Sequence, residues 1–442
     1  MHLQIERGLR EAVRSGRLAA GAALPSTRAL AHDLGVSRGV VVEAYAQLVA
    51  EGFLATRQGA RTVVATGGQP SRRERAATLP VPPRFDFRPG LPELRQFPRE
   101  EWARAARSAW RNLRPQQLAY GEPAGAVELR EALAEYLARV RGVQTRARQV
   151  IVCSGFAQAL GVAARALARR GVRRIAVEDP GHSDPRRLVA DAGLVPVGVP
   201  VDERGIHVDR LERAKVQAAL VTPAHQFPTG CVLDPERRRQ LLAWAQRRLA
   251  FLVEDDYDAE YRYDRSPVGS LQGLAPERVV YAGSASKILA PALRLGWLAV
   301  PDELLAEASE VKKYADLGTP FLEQLVYAEM LRRGAVDRHL RRMRVLYRRR
   351  RDALLRALAR HFPRWEPRGA AAGLHVMVLL PPEVDEATVV RAAERRSVGV
   401  YPGADYRIGT GPAALVLGYA CLGEHEIAEG IARLAAELSS RR

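Results

Sequence analysis

The chain has 442 residues, enough for two to four domains at roughly 100–200 residues each, and its 47% hydrophobic and 27% charged content excludes wholesale disorder. No run approaches the ~18 apolar residues of a membrane span, and the charged start MHLQIERGLREAVRSGR lacks a signal-peptide apolar core, so a cytoplasmic protein without membrane association is expected. A net charge of +18 admits a polyanionic partner, yet only four of the 68 basic residues are lysines (Lys215, Lys287, Lys312, Lys313), which leaves any lysine chemistry four candidates.

Residues 1–65 read as three helices and a hairpin. Leu3, Ile5, Leu9 and Val13 recur at helical spacing. Pro25-Ser26 starts a short second helix that Gly35 stops, and Val41, Ala44, Tyr45 and Leu48 give a third helix its apolar face before Gly52. Two short strands around Gln58-Gly59 follow, completing a winged helix-turn-helix pattern. Ser37 and Arg38 fall where a helix enters the major groove, and arginine is the commonest donor to guanine edges. Arg28 is placed for the DNA backbone, while Arg57 and Arg61 flank the hairpin tip.

Residues 66–84, rich in Gly, Pro, Ser and charge, read as a linker. From 85 to 442 apolar strands alternate with helical patterns: 150–153, 174–179, 195–201, 218–223, 251–256, 279–284 and 296–300. That alternation predicts one large, mainly parallel sheet covered on both faces, followed by a smaller α+β lobe after the basic helix RHLRRMRVLYRRRRDALLRAL. Cys153, Cys231 and Cys421 are far apart with no CxxC pair, so neither a disulfide framework nor a metal site is expected.

One lysine stands in a chemical context. Ser284-Ala285-Ser286-Lys287 follows a strand and Arg294 follows the lysine by seven residues. Apolar flanks can desolvate the lysine into a neutral nucleophile, and the hydroxyls and guanidinium can hold a phosphate. Asp255, at a strand end, can pair with a pyridinium nitrogen, and Tyr257 can donate to a phenolate oxygen.

Three resemblances follow from these motifs. The run Leu24-Pro25-Ser26-Thr27-Arg28, with Leu34-Gly35-Val36-Ser37-Arg38, Ala44-Tyr45 and Glu51-Gly52, resembles the GntR family of winged helix-turn-helix regulators, which implies double-stranded operator DNA as partner. The wing departs from that pattern at Gly59-Ala60-Arg61-Thr62. Residues 85–435 resemble the fold type I pyridoxal-phosphate aminotransferases, which implies that pyridoxal 5'-phosphate is carried on Lys287. Within that resemblance Asp255 matches the pyridinium partner and Tyr257 the phenolate donor. Ser284, Ser286 and Arg294 match the phosphate cup, and Ser154-Gly155-Phe156 the backbone cradle. Tyr120 matches a tyrosine that reaches the neighbouring subunit's phosphate, which implies a homodimer. The whole chain resembles the MocR/GabR type of regulator, a GntR-like reader fused to an aminotransferase-like domain.

Three departures bear on activity. Phe227 stands in AHQFPTG where aminotransferases have asparagine, so the amide for the phenolate oxygen is missing and His225 or Gln226 is its candidate substitute. His182 replaces the aromatic, commonly tyrosine, that stacks on the pyridine ring. Val416 stands where an arginine grips the substrate carboxylate, with Arg186 and Arg407 as candidate replacements. These departures, with an intact reader, favour a transcription regulator that senses an amine or amino-acid-like effector and catalyses slow or partial transamination at most. The alternative is an active aminotransferase with an appended DNA-binding segment.

Overall fold

Ser26 accepts a hydrogen bond from the Ala29 amide at 3.2 Å and so caps a helix, as the Pro-Ser signal predicts. In the computed structural model, which describes residues 1–56, 61–65, 82–263 and 268–440, the chain divides at Val81/Pro82 into two compact units. The first unit holds α1 (His2–Arg14), α2 (Thr27–Asp33) and α3 (Arg38–Ala50), then β1 (Leu54–Ala55) paired antiparallel with β2 (Val63–Val64). Its core is Val13, Leu24, Ala31, Val41, Tyr45, Leu48, Leu54 and Val64. Leu3, expected on the apolar stripe, is 65% exposed, while Ile5 and Leu9 pack at the edge. A bidentate pair from Arg10 to Glu51 ties α1 to the end of α3.

The second unit begins with β3 (Phe85–Asp86) and builds an eight-stranded sheet from β4 (Val150–Cys153), β5 (Arg174–Asp179), β6 (Val195–Asp202), β7 (Gly205–Ile206), β8 (Ala218–Val221), β9 (Phe251–Asp256), β10 (Val279–Ser284) and β11 (Gly296–Ala299). The order is β4-β11-β10-β9-β8-β5-β6-β7. Strands β10, β9, β8, β5 and β6 run parallel, while β11 lies antiparallel to both of its neighbours and β7 antiparallel to β6. The strands read as unbroken apolar runs because both faces are covered: β4, β8, β10 and β11 are buried at every residue.

The C-terminal lobe is a four-stranded antiparallel sheet of β12 (Glu366–Arg368), β13 (His375–Leu379), β15 (Tyr401–Pro402) and β16 (Ala414–Gly418), with the helix Glu386–Arg395 against β15 and the helix Glu424–Ser439 against the long helix Ala335–His361. The short β14 (Val398–Gly399) pairs parallel with β3, so the first strand of the unit belongs to its last lobe. Among the described residues no helix is long and apolar enough to cross a membrane.

Candidate functional site

In the first unit the fold leaves one face of α3 uncovered. Ser37 precedes the helix, Arg38 is its first residue, and both are exposed, as is Arg28 in the first turn of α2. The Arg38 side chain leans toward Thr27, its Nε 3.4 Å from the hydroxyl. Val42, Glu43 and Ala46 continue the exposed side of α3, positions that sequence reading passed over because their residue types carry no signal for DNA contact. Arg61 is exposed before β2, and Arg57 lies outside the described residues.

In the second unit a cavity of about 460 Å³ opens at the carboxyl ends of the parallel strands, where α/β sheets hold ligands. Lys287, Asp255, Tyr257, Ser284, Ser286, Arg294, Phe156 and His182 line it together. These residues come from five separate loops and strand ends. The turn after β10 delivers Ser286 and Lys287, and the end of β9 delivers Asp255. Lys287 donates through Nζ to the Gly90 carbonyl. Burial pushes its ammonium down from the usual range, against the pull of Asp258 and Asp255.

Asp255 is the electrostatically unsettled group. Its Oδ1 is buried with no hydrogen-bond partner among the described residues. Burial, and then the neighbouring Asp256, push its carboxyl well above the usual range. Asp256 itself points to the other side of β9, where Arg141 Nε lies 2.7 Å and Tyr281 Oη 2.7 Å from its Oδ2. Asp255 lines the cavity, and a carboxyl oxygen without a partner suits a cationic ring nitrogen.

At the opposite end Arg294 Nη2 donates to the Ser154 carbonyl at 2.6 Å. Its guanidinium lies over Gly155, where a Cβ would sit 3.2 Å from Cζ. Gly155, at φ 79, caps the 14-residue helix Phe156–Arg169, so the guanidinium lies at a helix start, where the amides of Ser154 and Gly155 are already given to Gln158 Oε1 (2.7 Å) and the Cys153 carbonyl (2.8 Å) and the first amides of the helix itself remain for an anion. An anion held there and a ring cation at Asp255 define a site with two distinct ends, and the residues present fit pyridoxal phosphate.

The remaining candidates separate. Arg186 lines the cavity. Arg407 does not, being bonded to Glu386 with both side chains about one-tenth exposed. Gln226 is buried and turned to Glu178 and the Pro180 carbonyl, at 3.2 and 2.8 Å, and closes its own turn through Thr229. His225 lies behind the wall, with Nδ1 3.1 Å from the Tyr257 hydroxyl. Phe227 faces the cavity between His182 and Tyr406, with ring centroids at 5.2 and 5.0 Å. Val416 is fully buried in β16 opposite Tyr401, and Tyr120 is 97% exposed on the surface.

Several lining residues carried no sequence signal. Arg88, Tyr401 and Tyr406 stand on the wall, with Arg88 Nε donating to the Tyr401 hydroxyl at 3.0 Å. Glu178 lines it too. Burial pushes its carboxyl up to about 7 against the hydrogen bonds from Thr222 and Gln226.

Comparison with known proteins agrees with both halves. Residues 2–64 match the model of bacterial regulatory proteins of the gntR family, and residues 91–434 match that of aminotransferase class I and II. The chain is 34% identical over 455 residues to the probable rhizopine catabolism regulatory protein MocR of Rhizobium meliloti, covering 98% of this chain and 92% of the relative. It is 33% identical to the pyridoxine biosynthesis transcriptional regulator PdxR of Corynebacterium glutamicum, over 92% of this chain and 89% of the relative. Among solved structures, the kynurenine aminotransferase of Pyrococcus horikoshii superposes with a TM-score of 0.74 at 27% identity, covering 81% of this chain and 91% of that one.

Proposed function

We propose a function from one premise: the chain belongs to the MocR family of transcription regulators, in which a GntR-type helix-turn-helix is joined to an aminotransferase-like domain. The protein binds double-stranded operator DNA through its first unit and senses an amine or amino-acid-like effector through pyridoxal 5'-phosphate in the second. The observation that carries the reading is the buried, unpaired Asp255 oxygen in the same cavity as Lys287.

When bound, the cofactor supplies an electrophilic carbon for an amine and an electron sink. Lys287 would hold it, and the lowered proton affinity of a buried lysine leaves its amine available for that bond. Asp255 keeps a proton on the ring nitrogen. Arg294, Ser284, Ser286 and the helix amides from Phe156 onward would fix the phosphate end. His182 lines the cavity and would cover the ring, and burial holds its imidazole below the usual range and therefore neutral. Arg186 faces the effector. Tyr120 reaches the phosphate of a second copy, so the working state is a homodimer. Arg38 reads base edges, while Arg28 and Arg61 hold the DNA backbone.

Val416 and Phe227 favour sensing over turnover, since each removes a polar group on which transamination relies. The complete cofactor set keeps an active aminotransferase as the second reading. Reduction of the pyridoxal-phosphate-loaded protein with borohydride, followed by peptide mass analysis, is expected to place the adduct on Lys287 alone and to find none in Lys287→Ala. An adduct on Lys215, Lys312 or Lys313 would refute the assignment.

A further inference from the structure

At the cavity wall the lining residue Tyr257 and two groups buried behind it meet at a single atom. His225 Nδ1 lies 3.1 and 3.0 Å from the two carboxylate oxygens of Asp258 and 3.1 Å from the hydroxyl of Tyr257. The side chains of His225 and Asp258 are each 1% exposed. We infer that Asp258 and His225 are positioning residues that fix Tyr257 as a hydrogen donor toward the cavity, in place of the amide that Phe227 lacks. The inference rests on the cavity being the pyridoxal-phosphate site.

Hydrogen-bond polarity fixes the direction of each contact. A buried carboxylate must be given donors, and among the described residues His225 supplies the side-chain hydrogen bond that Asp258 receives. The imidazole therefore carries its hydrogen on Nδ1. The other nitrogen, Nε2, has no partner among the described residues, and a bare acceptor there costs less than an unpaired N–H. With Nδ1 protonated, Tyr257 can only accept from His225. Its own hydrogen is then free to point into the cavity it lines, and accepting one bond strengthens the one it donates.

The surroundings leave this state undisturbed. The ring of His375 lies 5.0 Å from that of His225. Burial, and then His225, hold it well below the usual range, so no second cation faces the pair. Asp255 at the end of β9, Glu178 in β5 and Cys231 in a loop act on Tyr257 after burial and Asp258, and together they hold its phenol protonated. Lys287, on the cavity lining, acts on Asp258 and on His375. Gly373, at φ 79, packs its bare Cα against the His225 ring, where any Cβ would collide, and so fixes the ring's position.

The test has two arms. In full-length protein labelled with ¹⁵N-histidine and free of cofactor, His225 is expected as the neutral Nδ1–H tautomer, and Asp258→Asn is expected to populate the Nε2–H form. In protein loaded with pyridoxal phosphate, the pH midpoint of the cofactor's visible band is expected to rise by about one unit in Asp258→Asn and in His225→Leu, because a donor to the phenolate oxygen is weakened. His225→Gln, whose amide can still donate to Tyr257, is expected to recover at least half of that shift. In a Tyr257→Phe background Asp258→Asn is expected to add nothing, which separates this role from a general structural one.

An Nε2–H tautomer in the wild type overturns the proposal. So does an unchanged midpoint in Asp258→Asn, an equal shift in the Tyr257→Phe background, or a stoichiometric divalent ion bound by His225, Asp258 and His375. If the wild type takes up no pyridoxal phosphate, the reading of the cavity fails, and the tautomer measurement still decides the orientation of Tyr257.

Discussion

Arg294→Ala separates the two ends of the cavity. In the present structure the guanidinium spends one donor on the Ser154 carbonyl at 2.6 Å and lies against Gly155 at the start of the helix Phe156–Arg169. A phosphate there would accept charge-assisted hydrogen bonds, each contributing about 1.5–3 kcal/mol. The helix amides and the serines survive the substitution, so the loss should be close to one such bond. At ~1.4 kcal/mol per tenfold, that is a roughly 10- to 150-fold weaker binding of pyridoxal phosphate. Pyridoxal, which lacks the phosphate, should bind wild type and variant alike. Spectrophotometric titration of both proteins with both compounds measures the difference. An equal loss for pyridoxal, or no loss for pyridoxal phosphate, would refute the placement of the phosphate between Arg294 and Gly155.

Other consequences follow from named groups. Arg141→Met strands Asp256, whose side chain is 1% exposed, and should destabilise the second unit by about 3–5 kcal/mol in urea unfolding; a change below 1 kcal/mol would contradict a buried pair. The Glu178 carboxyl titrates at about 7 when folded and near 4.5 otherwise, so its contribution to stability is complete below pH 4.5 and is lost as pH rises to about 7. Glu178→Gln should flatten that part of the stability–pH profile, and an unaltered slope would count against a buried, protonated acid. Arg38→Ala should weaken operator binding by about 1–3 kcal/mol and relax base preference, measured by selection from a random duplex pool, whereas Arg28→Ala should reduce the salt slope by about one.

Legibility in the sequence followed how local each signal was. The reader declared itself because its cap, turn and apolar positions lie within one short stretch, and Ser26, Gly35 and Leu48 do what their spacing implies. Lys287 and Arg294 were visible because hydroxyls and charge follow a strand, and Asp255 because it ends one. The cavity's other wall was not visible. Arg88, just after β3, and Tyr401, in β15, come from distant parts of the chain brought together by the pairing of β3 with β14, beside which Arg84 bonds Ser397, 313 residues away. Charge alone also misled: Arg407 had the right type for an anion, but Glu386 neutralises it within the lobe. Gln226 had the right amide, but burial turned it to Glu178.

The central claim is that ligand chemistry in the second unit alters DNA binding by the first. A ligand does so only if it binds two conformations unequally. The direct measurement follows operator affinity of the pyridoxal-phosphate-loaded protein across a panel of amines and amino acids, with keto-acid release recorded in the same samples. The account expects one ligand class to change affinity at least fivefold, an effect that disappears in Lys287→Ala, with slow or no product release. Turnover at ~1 per second or faster, with operator affinity unmoved by every ligand, would contradict it and leave an aminotransferase that happens to carry a DNA reader.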